Sequence, residues 1–307
     1  MFPPPEILAP EVFARLPESL HQTDRPSQWL ADRHVKMHSF LEGPSFDRDG
    51  NLWCVDLAHG RIFRVTPAGK FEVVLQYDGE PNGLKIHRDG RVFVADHRHG
   101  LMVHTPGSDR IDVLLGSARR EGLKGLNDLF FASNGDLYFT DQGESALEDA
   151  TGRVYRLRAD GKTVDLIMSG LAGPNGLVLD EARKLLYVAI TRENAIFNIG
   201  IEPHYAGAKK AGRVIQLSGG TGPDGLALDE AGNLVVVHAG AGTVWVFSRI
   251  GEPLYRIRST AGIRTTNVAY GGEDRRTLYI MEAEQGAILR VRLPSPGRIM
   301  YSHTGPN

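Results

Sequence analysis

Short apolar runs alternate with polar turn dipeptides along nearly the whole chain, and together they recur as one larger unit. Six copies start at Glu42, Asn82, Asn127, Asn175, Asp224 and Asn267, at intervals of 40, 45, 48, 49 and 43 residues. Each start is followed by a brief apolar run, such as Leu129 to Phe131 or Leu177 to Leu179, too short for a helix. A tight-turn signal comes next, Asp49-Gly50, Asp89-Gly90, Asn134-Gly135 or Gly232-Asn233. Then comes a segment rich in aromatic and β-branched residues, for example Leu52-Trp53-Cys54-Val55 and Leu137-Tyr138-Phe139. Third segments (Arg61 to Val65, Arg153 to Leu157, Thr243 to Phe247) and fourth segments (Phe71 to Leu75) complete an antiparallel meander.

Helical solenoids share this period, but their repeats need helix-length apolar patterns that are missing here. The repeat therefore predicts an all-β fold, a six-bladed β-propeller of four-stranded antiparallel blades, in which radial closure leaves only short, protected edges. Residues 42–307 form the propeller in this reading, and residues 1–41 an N-terminal arm packed on it. Either a strand near Val12 to Leu16 or the segment Arg298 to Ser302 supplies the last outer strand.

Composition narrows the partners. A formal net charge of −2 spread over 307 residues offers no basic field for nucleic acid or an anionic membrane. No signal-peptide pattern or membrane-length apolar run is present. Cys54 is the single cysteine, so no intrachain disulfide can form. A reducing, cytoplasmic setting is expected, with Cys54 an inert core thiol; the oligomeric state is left open.

In a meander, connections alternate between the two faces of the disc. The start of every first strand therefore shares a face with every second-to-third loop, and that face is where chemistry is expected. All six start residues are oxygen donors, and pseudo-rotation of about 60° per blade turns them toward one axis. Carboxylate and amide oxygens without thiolate or imidazole suit one hard divalent ion, Ca²⁺ first, with Mg²⁺, Mn²⁺ and Zn²⁺ open. The competing reading makes Asn82-Gly83, Asn175-Gly176 and Asp224-Gly225 simple turns. Against it, the hairpin turns already fall later in each copy, and Asn127 and Asn267 are not followed by glycine. Around the rim, His97, His99, Asp141, Arg192, His238 and Glu282 are candidate substrate contacts, with Asn82 and Asn267 inside the ring.

The segments Glu42-Gly43-Pro44, Leu126-Asn127-Asp128, Pro174-Asn175-Gly176-Leu177 and Pro223-Asp224-Gly225-Leu226 resemble the motifs of the gluconolactonase, regucalcin (senescence marker protein) and luciferin-regenerating enzyme family. The resemblance runs from about residue 42 to 294. It implies that Glu42, Asn127, Asn175 and Asp224 bind one catalytic divalent metal, that Asp224 is the general base, and that the substrate is a small lactone. His238 and Asp141 are alternative bases. Related propellers hydrolyse organophosphates, so a phosphotriester hydrolase on the same metal is the second reading, and a non-enzymatic metal-stabilised binding propeller the third. Sugar lactonases of the family place an arginine two residues before the second-motif asparagine; Gly125 stands there in this chain, which puts an aldonolactone substrate in question.

Overall fold

The computed structural model describes residues 2–202 and 204–305. Six four-stranded antiparallel units surround one axis. Their innermost strands are Leu41–Phe46, Pro81–Ile86, Leu126–Phe131, Pro174–Asp180, Gly222–Leu228 and Thr265–Gly271, and the last meets the first to close the ring. Each blade runs outward through the predicted hairpins, as in Leu52–Asp56, Arg61–Val65 and Phe71–Gln76 of blade one. Among the described residues the only α-helix is the single turn Gln28–Asp32, and no helix is long and apolar enough to cross a membrane.

The choice between the two closing segments is decided by pairing. Glu11–Arg15 hydrogen-bonds antiparallel to Ala287–Arg292 and is the fourth strand of blade six. Its Ala14, with Leu16 beyond it, enters the apolar layer between blades six and one, alongside Leu41, Phe63, Met281 and Ile288. Glu6–Leu8 adds a fifth, parallel strand to blade five. Part of the predicted arm is thus blade, held by sheet hydrogen bonds and buried side chains. The rival segment near Arg298 crosses the opposite mouth of the axial channel, where Tyr301 stacks on Phe131 at 5.1 Å and Ser302 donates to the Phe46 carbonyl at 3.3 Å.

The core lies between blades rather than in one centre. Each interface is a layer such as Val188, Ile190, Leu177 and Val154, fully or almost fully enclosed. Each buried aliphatic side chain contributes about 1.5–3 kcal/mol, so stability is distributed around the ring. Cys54 is wholly enclosed in the layer between blades six and one, and burial pushes its thiol well above the usual range, as an inert core residue requires.

Candidate active site

Every innermost strand carries a β-bulge at the ring position. The register shifts between Glu42 and Ser45, Pro81 and Gly83, Leu126 and Leu129, Pro174 and Leu177, Pro223 and Leu226, and Thr265 and Val268. A bulge re-aims a side chain out of the pleat's alternation. Glu42, Asn82, Asn127, Asn175 and Asn267 are buried at this level, and Asp224 is the least enclosed of the six. Gly176 and Gly225 are not turn formers: neither has a positive φ, and a Cβ at these positions would come within 2.4 Å of the Asp224 carbonyl and 2.2 Å of Asn267 Oδ1. The glycines let neighbouring innermost strands approach at the axis.

The axial groups are unevenly satisfied. Glu42 Oε2 accepts from the Gly43 amide at 2.9 Å, yet burial and the nearby Asp128 carboxylate push its pKa up to about 8. Asp224 is also raised well above the usual carboxylate range, by burial, then by Glu42 and Asp128, against an opposing hydrogen bond from Asn175. Asn127 Nδ2 donates to Gln142 Oε1 at 3.2 Å, which leaves its oxygen for another partner. Asn175 Oδ1 is buried without any hydrogen-bond partner. A buried amide oxygen left bare beside two carboxylates that favour protonation fits a site built to hold a cation. Among the described residues no three His, Cys, Asp or Glu side chains form a metal cluster, so amide oxygens must complete any ligand set.

The rim residues divide sharply. Asp141 is fully enclosed: Oδ1 accepts from the Lys124 and Gly125 amides at 2.7 and 3.0 Å, and Oδ2 from Arg153 at 2.6 and 3.0 Å. It ties the entry of blade three to the end of its second strand. Asp56 does the same with the Phe40 amide and Arg61, and Asp96 with the Glu80 amide and Tyr77. Glu282 accepts from the amides of Glu284 and Gln285 at 2.8 and 3.0 Å. His238 is held at both ring nitrogens: Trp245 donates to Nδ1 at 3.4 Å, which places the proton on Nε2, and Nε2 donates to the Gly219 carbonyl at 2.8 Å. Burial, outweighing that bond, holds its pKa below the usual value. Neither Asp141 nor His238 has an atom free for proton transfer. His99 is bound to the Asp78 carbonyl at 2.7 Å, and Arg192 is exposed on the turn Thr191–Glu193.

His97 is placed differently. Its ring lies against Gly125, where a Cβ would fall 2.5 Å from Cε1, and its Nε2 is 3.5 Å from Glu144. The imidazole therefore fills the space that a side chain at position 125 would need. Glu144 also pairs with Arg33 of the N-terminal segment at 3.0 Å, joining that segment to the loop that follows Asp141.

Two axial residues escaped the sequence reading. Asp128 is buried beside Glu42 and Asp224, and Lys85 Nζ lies 3.8 Å from its Oδ1. The signal for Lys85 was available, since it is a lone charge inside the apolar strand Leu84 to Ile86. Below this level the channel is an apolar cavity of about 40 Å³ bounded by Phe46, Phe130, Val178, Leu228 and Met300. That is room for a few water molecules, so a larger ligand reaches the ring from the bulged face.

Residues 40–284 match the model of the SMP-30/Gluconolactonase/LRE-like region. The chain belongs to this family. It is 32% identical over 251 residues to the lactonase drp35 of Staphylococcus aureus (strain MRSA252), covering 78% of this chain and 75% of the relative. A lactonase drp35 of Staphylococcus epidermidis is 32% identical over 253 residues with the same coverage. In fold it resembles a regucalcin from Agrobacterium tumefaciens, described as a calcium-binding protein, with TM-score 0.75 and 19% identity over 96% of this chain and 98% of that one. A gluconolactonase from Xanthomonas campestris superposes with TM-score 0.73 and 23% identity, covering 83% and 86%.

Proposed function

We propose that the chain is a divalent-metal-dependent hydrolase that opens a small lactone at the axial site. The observation that carries this reading is the unpartnered, buried Asn175 Oδ1 beside Glu42 and Asp224, two carboxylates whose surroundings favour a positive partner. The lactonase relatives support the reaction class.

Glu42, Asn127, Asn175 and Asp224 would hold the ion, with Ca²⁺ the first candidate. A bound divalent ion polarises a carbonyl and acidifies water. Asp224, the least enclosed of the four, receives the proton of the attacking water on a carboxylate oxygen and returns it to the departing ring oxygen. Water adds to the carbonyl carbon, the ring C–O bond breaks, and the product is the hydroxy acid. Asn82 and His97 line the approach and contact the substrate. Asn267 is committed instead to Asp128 and to its own strand, at 3.3 Å and 2.8 Å. The His97 ring over Gly125 favours a lactone that does not depend on an arginine from that position. With Cys54 enclosed and a formal net charge of −2, the protein acts in the cytoplasm on a small molecule.

A panel of γ- and δ-lactones, an aldonolactone and an aryl phosphotriester, assayed before and after chelation and after adding back Ca²⁺, Mg²⁺, Mn²⁺ or Zn²⁺, tests this. The expected result is hydrolysis of at least one lactone, abolished by chelator, restored by one ion, and faster than phosphotriester cleavage. Absence of any chelator-sensitive lactone hydrolysis overturns the reading.

A further inference from the structure

The axial channel holds three carboxylates, because Asp128 stands with Glu42 and Asp224. Asp128 is 2% exposed, and it is tied down from two sides: Oδ1 accepts from the Leu129 amide at 2.8 Å and Oδ2 from Asn267 at 3.3 Å. Its own amide is fixed on Thr140, whose hydroxyl donates in turn to the Asn175 carbonyl at 2.8 Å. Asp128 therefore cannot turn away from the ring.

Lys85 comes from the neighbouring blade and is itself buried, its stem passing along the apolar lower cavity. At the top of that stem Nζ donates to the Leu84 carbonyl at 3.0 Å and lies 3.8 Å from Asp128 Oδ1. The second distance is too long for a hydrogen bond, so Lys85 acts on Asp128 as a charge rather than as a ligand. A buried ammonium is costly unless negative charge surrounds it, and here the Glu42 carboxylate also lies close by.

With all four groups ionised, the state that a bound cation would favour over the protonated one, three carboxylates and one ammonium carry a formal charge of minus two at the axis. We propose that Lys85 is the resident countercation of the axial channel, and that Lys85 and Asp128 together set the charge presented to the ring so that a divalent ion balances it. Lys85 is a positioning residue: it touches neither substrate nor ion. The tuning to a divalent ion rests on the metal reading above, whereas the countercation role does not.

Melting of the full chain at low ionic strength, in chelator and in CaCl₂, separates the two parts. The variants are Lys85→Met, which keeps the buried stem, Asp128→Asn, and the double substitution. In chelator, Lys85→Met is expected to melt below the unsubstituted chain and the double substitution to recover most of the loss. Calorimetric titration of Ca²⁺ is expected to give about tenfold tighter binding in Lys85→Met and about tenfold weaker binding in Asp128→Asn. If Lys85→Met folds only when Asp128→Asn is added, the countercation role stands. If it melts with or above the unsubstituted chain, or fails to fold in both backgrounds, that role is overturned. If no shift appears with Ca²⁺, Mg²⁺, Mn²⁺ or Zn²⁺ in any variant, the metal reading and the tuning fall, while the chelator arm still decides the countercation.

Discussion

Two sets of buried acids lie on the same face of the disc. The outer set, Asp56, Asp96, Asp141 and Glu282, stands at the ends of second strands, and every member is met by backbone amides, by an arginine, or by both. The inner set, Glu42, Asp128 and Asp224, faces the axis with one lysine 3.8 Å from one of its members and an unpartnered amide oxygen nearby. Burial alone does not distinguish them, since both are enclosed. Crowding does: each outer acid stands apart with its own amides or arginine, whereas Glu42 and Asp128 both push the Asp224 pKa up in spite of the donors that the axial acids accept from. Buried like charges held together are tolerated only where something else supplies the missing attraction.

The sharpest way to break this contrast is to neutralise one member of each set. Asp224→Asn is expected to lower kcat/KM on the best lactone by at least about 1,000-fold. Its melting temperature in chelator should be unchanged or higher, because an uncompensated carboxylate is removed. Turnover near that of the unsubstituted chain would end the assignment of Asp224.

Asp141→Ala is expected to act in the opposite manner. It strands two backbone amides and takes one of two carboxylates from Arg153, which keeps Glu121, at a cost of about 3 kcal/mol read from urea midpoints. A loss below about 1 kcal/mol would mean that the tie is weak and would return Asp141 to the list of pocket residues.

The smallest effect concerns His238, which takes the place of the outer acid in blade five and holds its loop as a neutral ring. Its folded pKa lies below the usual 6.5, so the unfolded chain takes up the proton first as pH falls. The stability it contributes is complete above 6.5 and is lost as pH drops through the folded value. Urea midpoints should therefore fall between pH 7.5 and 5.5, and less steeply in His238→Gln. An identical slope in that variant would remove His238 from the account.

The repeat, the strand order and the six axial residues were legible in the sequence because each rests on local pattern: a turn dipeptide, a β-branched run, an oxygen donor at a fixed place. Ring closure was not, since Val12 to Leu16 and Arg298 to Ser302 are both short segments near a terminus, and only long-range pairing with Ala287–Arg292 separates them. Strand parity put Asp141 and His238 on the right face but could not show that Asp141 is held by the amides of Lys124 and Gly125, or His238 by Gly219 and Trp245. Lys85 and Asp128 were passed over for a related reason. Counting one residue per blade finds a ring, whereas Asp128 stands one residue past the ring position inside a bulge that the sequence does not mark, and Lys85 three residues past it in regular pairing with Phe93. Gly125 was visible as a departure from the sugar lactonases, but the His97 ring that lies against it is a contact between blades.

The central claim is that the axis holds one divalent ion through Glu42, Asn127, Asn175 and Asp224. Calorimetric titration of the chelator-stripped chain with Ca²⁺, repeated with Asn175→Ala, addresses it most directly. The account predicts one ion per chain and a loss of binding when the bare amide oxygen is removed. Undiminished binding in Asn175→Ala, or no binding of any divalent ion to the unsubstituted chain, would contradict it.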